Sequence, residues 1–196
     1  FSTRSAKFES HEEMDFFALN LFDEGRPGGK VCICLRRDAL LFVCSDVSEI
    51  APEIDKLVSN AQKHVSLDLI LCGAIDRLTF DGAECLMEME QEIEALEDAL
   101  LTSDKQDCVR EIVSLRKRLM AVKRYYEQLL DLLDAVQENE NGLIGKRALR
   151  ALKILNGRAD RLYHNVLNLR DYVTQVREAY QAQVDISLNK TMKLFT

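Results

Sequence analysis

Apolar residues in the second half of the chain recur at intervals of three and four. The first such stretch spans residues 83–101, and its apolar positions are Leu86, Met89, Ile93, Leu96 and Leu100. The same spacing continues through residues 109–136 and again through residues 152–180. It places the apolar side chains on one side of an α-helix. Because it holds over several heptads, it predicts a coiled-coil-like bundle of long antiparallel helices packed at shallow angles.

Two polar breaks divide this helical region. They are residues 102–107, TSDKQD, and residues 137–145, QENENGLIG. The last predicted helix then runs from about residue 146 to residue 196. At 1.5 Å per residue its length is roughly 75 Å. A helix of that length is too long for a compact domain of this size, so we interpret it as a stalk.

The first third of the chain has a different pattern, in which aromatic and β-branched residues are concentrated. It predicts three strands, at residues 15–22, 30–36 and 39–45. Residues 23–29, DEGRPGG, have the composition of a turn. Arg37 and Asp38 separate the last two strands closely enough for a tight antiparallel hairpin. We therefore expect a small sheet in this part of the chain.

A shorter amphipathic helix is predicted at residues 46–63. Ser48 could cap its N-terminus, and Pro52 is tolerated in its early turns. Its apolar face would consist of Ile54, Leu57, Val58 and Ala61.

These elements together predict an α+β fold that is predominantly α. Residues 1–65 would form a small α/β N-terminal subdomain, and residues 66–196 would form the long helical bundle and the stalk helix. The 196 residues are enough for one sizeable domain or for a small domain plus a helical one.

Charge and cysteine content narrow the possible partners. The formal net charge is −7, which argues against nucleic acid because phosphate binding needs a basic surface. No two cysteines have the C-x-x-C spacing of a zinc or redox site, so we expect reduced, buried thiols. The cysteines are Cys32, Cys34, Cys44, Cys72, Cys85 and Cys108. No apolar run approaches the roughly 20 residues that span a bilayer.

No catalytic constellation is apparent. His11, His64 and His164 are far apart in the sequence, and none has a second ligand at metal-binding spacing. The chain has no Gly-rich phosphate loop at the start of a helix. We therefore predict that the protein is not an enzyme and that it uses no organic cofactor.

An acidic run in residues 84–98 allows two interpretations. Its carboxylates include Glu84, Glu88, Glu92 and Asp98, with no Lys or Arg among them. The simpler interpretation is a solvated helix face. The alternative is a surface that concentrates divalent cations by outer-sphere attraction.

The apolar stripe changes course near the end of the chain. Gln183 and Ser187 occupy the positions that would continue the seam, and apolar residues move to new positions from Val184 onward. Residues 169–196 contain neither Gly nor Pro, so no helix-stop signal is present. The pattern predicts that the partner surface changes here and that the chain is part of a longer one.

The final residues 180–196, YQAQVDISLNKTMKLFT, closely resemble the stalk helix of the CorA family of magnesium transporters just before its first membrane span. The segment LRDYV at residues 169–173 matches as well. The resemblance implies a homopentameric ion channel in the cell membrane, anchored by C-terminal spans, of which this chain is a cytoplasmic part. It also implies that Asn189, Met192 and Phe195 line the pore entrance for hydrated Mg²⁺.

The resemblance further implies that carboxylates between neighbouring subunits sense Mg²⁺. An ungapped alignment from the end of the chain puts the family's stalk carboxylate near residues 154–157, where this sequence has no acid. The acidic candidates on this helix are instead Asp160, Asp171, Glu178 and Asp185. By itself the chain is expected to be monomeric or weakly oligomeric. An alternative from another class is a soluble helical scaffold that binds protein partners.

Overall fold

The computed structural model describes residues 6–23, 26–44, 47–60, 65–102 and 108–194. Within them the chain forms a four-stranded sheet followed by five helices. The strands lie before residue 45 and the helices after residue 46, so the predicted α+β class with predominant helix is confirmed.

The sheet is an antiparallel meander whose strands follow one another in chain order. Its strands are β1 (Lys7–His11), β2 (Met14–Asp23), β3 (Arg26–Leu35) and β4 (Leu40–Cys44). The three predicted strands correspond to β2, β3 and β4, and the hairpin between the last two is present. The sequence analysis missed β1, because KFESH at this edge of the sheet has only one large apolar residue.

The predicted turn at residues 23–29 is mostly strand, which corrects the sequence analysis. β2 continues to Asp23 and β3 already begins at Arg26, with Phe22 paired to Pro27. The β3–β4 pairing within the described residues begins only at Val31. Pro27 therefore lies where β3 has no β4 neighbour, and its missing N–H costs no ladder hydrogen bond on that side.

Two shorter helices follow the sheet. They are α1 (Val47–Asn60) and α2 (Leu67–Leu78). α1 begins one residue before Ser48, so Ser48 is inside the helix and the predicted N-cap is wrong. Pro52 lies in the second turn of α1, as expected. Of the predicted apolar face, Val58 is exposed and Ala61 lies outside the described residues.

Three long helices make up the rest of the fold. They are α3 (Ala83–Thr102), α4 (Cys108–Gln137) and α5 (Lys146–Leu194). The break at residues 137–145 is confirmed, whereas the other break falls mainly on residues 103–107, which lie outside the described residues. α5 has 49 residues and is therefore about 73 Å long. The predicted stalk is thus a single continuous helix.

The predicted apolar stripes form the core of the bundle. All five stripe residues of α3 are buried, and so are those of α5 from Leu152 to Val176. In α4 the stripe is buried except at its first position, where Val109 is exposed and the neighbouring Cys108 is buried. Burying these side chains removes apolar area from water and holds the three helices together.

The sheet packs against the bundle through α4. Gln128 of α4 accepts hydrogen bonds at its Oε1 atom from the Ala6 backbone N–H, at 3.2 Å, and from Asn20 Nδ2, at 2.8 Å. The buried residues of the sheet and those of the helices belong to one contiguous cluster. The division at residue 65 remains a prediction, although α1 ends before it and α2 begins after it.

Two tyrosines of α4 fix the connection between α2 and α3. The Tyr126 hydroxyl accepts a hydrogen bond from the Gly82 N–H at 3.0 Å and donates to the Phe80 carbonyl at 3.1 Å. The Tyr125 hydroxyl accepts from the Phe80 N–H at 2.8 Å, and burial raises the pKa of Tyr125 to about 12. A Cβ at Gly82 would lie 2.6 Å from the Tyr126 hydroxyl, so only glycine fits.

Leu133→Ala is expected to destabilise the protein by about 2–5 kcal/mol, because Leu133 is fully buried and its removal leaves a cavity. Ile154→Ala removes a similar volume from a side chain that is 75% exposed, so it should change the unfolding free energy by less than about 0.5 kcal/mol. Urea denaturation of the two variants measures the difference. Equal effects would show that the α4–α5 seam is not the core.

Candidate functional site

The predicted site residues of α5 lie on the side of the helix that faces away from the bundle. Asp160, Asp171, Glu178 and Asp185 are exposed, and so are Asn189 and Met192. Phe195 lies outside the described residues.

Their spacing places these residues on one narrow stripe. Asp171, Glu178, Asp185 and Met192 follow one another at intervals of seven residues, and Asn189 lies between the last two. With about 100° of rotation per residue, all six described residues fall within an arc of about 60°. The buried residues of α5, such as Leu162 and Val173, lie on the opposite side. We call these six residues, Asp160, Asp171, Glu178, Asp185, Asn189 and Met192, the outer stripe of α5.

A single chain does not gather the outer stripe into a chelating site. Carboxylates seven residues apart on a helix are about 10 Å apart along its axis. Across the described residues, no group of three or more His, Cys, Asp or Glu side chains is arranged to hold a metal ion. Within the stripe, Asp160 Oδ1 lies 3.6 Å from His164 Nε2, and both side chains are exposed. Within the described residues of a single chain, the outer stripe therefore does not form a ligand set.

The acidic residues of α3 are exposed, and one of them pairs with an arginine. Glu84, Glu88, Glu92 and Asp98 all face solvent. The Glu92 carboxylate accepts two hydrogen bonds from Arg118 Nη1 of α4, at 2.6 and 2.8 Å. A cationic partner of this kind is typical of an ordinary solvated helix face. It favours that interpretation over a surface made of carboxylates alone.

α5 also contacts this acidic face. The Tyr172 hydroxyl donates a hydrogen bond to Glu97 Oε2 at 2.5 Å. This bond, together with the nearby negative charge, raises the pKa of Tyr172 to about 12, so the phenol stays protonated. The contact joins the acidic helix to the stalk in the same chain.

The cysteines and histidines show no binding arrangement in the described residues. None of the six cysteines forms a disulfide; Cys72 and Cys108 are buried and the other four are half-buried. Burial raises the pKa of the Cys72 thiol to about 12, which keeps it neutral. His11 and His164 are more than half exposed, whereas His64 lies outside the described residues.

None of the helices within the described residues combines the length and the apolar content needed to cross a bilayer.

Comparison with protein families gives a match over nearly the whole chain. The model of the CorA-like Mg²⁺ transporter protein family matches residues 2–196. The chain belongs to the CorA family.

Solved structures share this CorA fold at low sequence identity. The magnesium transporter CorA of Methanocaldococcus jannaschii is 20% identical, with a TM-score of 0.80 over 97% of this chain and 62% of its own. The full-length CmaX protein is 13% identical, with a TM-score of 0.82 over 100% of this chain and 62% of its own. The cytoplasmic domain of ZntB from Vibrio parahaemolyticus is 15% identical, with a TM-score of 0.66 over 94% and 75% of the two chains.

These identities establish a common fold and no more. The chain spans 62% of the length of the CorA and CmaX structures that it matches. No curated protein matches the chain.

The sequence analysis of this CorA-family chain missed the cross-helix partners of its acidic face. Arg118 belongs to α4 and Tyr172 belongs to α5, so neither is close in sequence to the carboxylate that it contacts. The one sequence signal for these contacts was the helical period. It places Arg118 next to a buried position of α4, and Tyr172 next to a buried position of α5. Which helix each would face depends on the packing of the bundle, which the period does not give.

The Glu92–Arg118 pair is expected to contribute little to stability, because both side chains are substantially exposed. A double-mutant cycle with Glu92→Gln and Arg118→Gln should give a coupling energy of about 0.2–1 kcal/mol that falls as salt is added. A matched cycle with Glu88→Gln in place of Glu92→Gln should give no coupling. An equal coupling energy between Glu88 and Arg118 would show that Arg118 does not interact specifically with Glu92.

Proposed function

We propose that this chain is the cytosolic regulatory and stalk domain of a CorA-type channel for Mg²⁺ in the cell membrane. Family membership over residues 2–196 supports a role in transport rather than in catalysis. The observation that carries the proposal is the outer stripe of α5, whose six residues are exposed, are polar except for Met192, and lie opposite the buried seam. A helix that is packed on one side by its own chain can present the other side to a central axis.

In this proposal five stalk helices surround the axis and lead into the membrane spans. Asn189 is exposed near the end of α5, and its amide oxygen would accept hydrogen bonds from the water shell of the ion. Mg²⁺ loses its water reluctantly, so recognition of the hydrated ion is the less costly route. Met192, one turn further on and 65% exposed, would form an apolar constriction that closes by dewetting. Phe195 would form the next such ring.

The carboxylates of the outer stripe would regulate the channel through charge. Each chain carries −7, so five carry −35, from 5 × −7. Bound divalent cations at Asp160, Asp171, Glu178 or Asp185 would reduce the repulsion between neighbouring subunits and favour the closed ring. When the Mg²⁺ concentration falls, repulsion would loosen the ring. Mg²⁺ is thus both the transported ion and the regulatory ion in this proposal.

Met192→Asp in the full-length protein should wet the constriction and change Mg²⁺ uptake severalfold in a Mg²⁺-dependent growth assay. Met87→Asp is the matched control, because Met87 is also exposed, at 55%, but lies on α3 away from the outer stripe. The control should leave uptake unchanged. If Mg²⁺ uptake were the same for Met192→Asp as for the parent, the face of α5 that carries Met192 would not line the pore.

Millimolar Mg²⁺ should raise the melting temperature of the assembled full-length protein by several degrees, because bound cations offset repulsion between subunits. The triple variant Asp171→Asn, Glu178→Gln and Asp185→Asn should lose that response. Exposed acids of α3 serve as the control, through Glu84→Gln and Glu88→Gln. An undiminished response in the triple variant would place the regulatory ions elsewhere.

A further inference from the structure

The first turns of α5 carry a concentrated positive charge. Six basic residues lie within residues 146–161, and Asp160 is the one acid among them. With about 100° of rotation per residue, the six fall within an arc of about 140° that lies outside the buried seam. The proposed transport function uses none of them. We call these residues the basic patch of α5: Lys146, Arg147, Arg150, Lys153, Arg158 and Arg161.

Most of the basic patch has no acidic partner in its own chain. Arg158 pairs with Asp76 of α2, with 2.7 Å between Nη2 and Oδ1. The other five side chains are exposed, and none of them forms an ion pair with an acid in the described ranges. Ile154, which is 75% exposed, lies among them. The patch therefore presents positive charge and an apolar side chain to a partner outside the chain.

An acidic surface lies beside the same part of α5, on the second half of α4. Residues 125–140 contain five acids and no Lys or Arg. Asn156 Nδ2 of α5 donates to Asp134 Oδ1 at 2.5 Å, and the Tyr163 hydroxyl donates to Glu127 Oε1 at 3.1 Å. These bonds place the acids at the level of the basic patch along the stalk. We call the following residues the acidic face of α4, although the last one comes directly after the helix: Glu127, Asp131, Asp134 and Glu138.

The two charged surfaces lie on opposite flanks of α5. Asn156 and Tyr163 face α4, whereas Arg158 faces α2. By the rotation of the helix, the exposed surface between these flanks carries the outer stripe nearer to α4 and the basic patch nearer to α2. At one level of the stalk, each chain thus presents negative charge on one flank and positive charge on the other.

Opposite charges on opposite flanks suit a head-to-tail ring. Around an axis that runs along α5, all copies stand at the same level, and one flank of each copy meets the other flank of the next. A two-fold contact through either surface would bring like charges together, which is unfavourable. The acids of α3 are mostly displaced from this level, because Glu97 bonds Tyr172, about 27 Å beyond Ile154 along α5.

We propose that the basic patch of α5 docks on the acidic face of α4 in a second copy of this chain. The inference rests on the proposed ring of stalk helices and names the surfaces that close it. Ion pairs at this level attract neighbouring chains, whereas the acids of the outer stripe from Asp171 onward repel. A lipid surface fits less well, because the membrane of the proposed channel lies beyond Leu194, about 60 Å from Lys153 along the helix.

Carbodiimide cross-linking between two co-expressed, differently tagged full-length copies tests this docking, because it joins a lysine only to a carboxylate in direct contact. In the first copy the acidic face of α4 is neutralised through Glu127→Gln, Asp131→Asn, Asp134→Asn and Glu138→Gln. The second copy keeps its acids but carries Lys146→Arg and Lys153→Arg, which retain the charge and cannot react. A link between the basic patch and the acidic face can then only join two copies.

Mass spectrometry should find Lys146 or Lys153 of the first copy joined to an acid of the acidic face of the second. Arg150→Glu in the first copy should lower the yield of this link severalfold, and added salt should lower it as well. Lys190→Glu is the matched control, because Lys190 is exposed on the same side of α5 but near its other end. It should leave the yield unchanged.

Three results would overturn the docking. They are copies that do not co-purify, co-purified copies without the link, and patch lysines joined instead to acids of α3 or to another molecule. If the first copy fails to fold, a version with only Asp131→Asn and Glu138→Gln replaces it, and links to those two acids decide.

Mg²⁺ uptake by the parent, measured separately, distinguishes this proposal from the proposed function. Uptake without the link would refute the docking and leave the transport function standing. The link without uptake would refute the transport function and leave the docking standing.

Discussion

The fold depends on one seam, the buried apolar side of α5 against α3 and α4. Residues such as Leu155, Val166 and Val173 on this side are inaccessible to water, and they recur over more than twenty residues. A helix of 49 residues is stabilised mainly by such packing, because propensity alone is a weak contribution in water. The same seam determines which residues of α5 remain outside. The outer stripe is thus a consequence of the core rather than a separate feature.

The helical part of the fold could be predicted because its signal is local. The three-four period identifies the buried residues of α3, α4 and α5 from sequence alone, and α5 follows it to Val176. β1 could not be predicted, since an edge strand with a half-buried, mainly polar sequence gives no alternation to detect. The sequence around Pro27 predicts a turn, because proline normally interrupts a sheet. It is tolerated in β3 because β4 does not extend far enough to pair with it, which the local sequence does not show.

The candidate site divides in the same way. That Asp171, Asp185 and Asn189 share a stripe follows from their spacing, and the exposure of that stripe in the fold agrees with it. The partners of Glu92 and Glu97 could not be predicted, because Arg118 and Tyr172 come from other helices. No sequence signal distinguishes Asp15 from an exposed strand residue either. Its complete burial is seen only in the folded chain.

The two ends of α5 are subject to different physical constraints. Near residue 192 the helix has no buried stripe of its own, since Ile186, Leu188 and Met192 are all more than half exposed. At its start the helix is fixed within the chain, through Gly145 to Asp68 and through Asn141 to His11. A change at the start that shifts α5 by a small angle is therefore magnified along about 73 Å of rigid helix. The sheet, through α4 and this turn, is thus mechanically connected to the far end of the stalk.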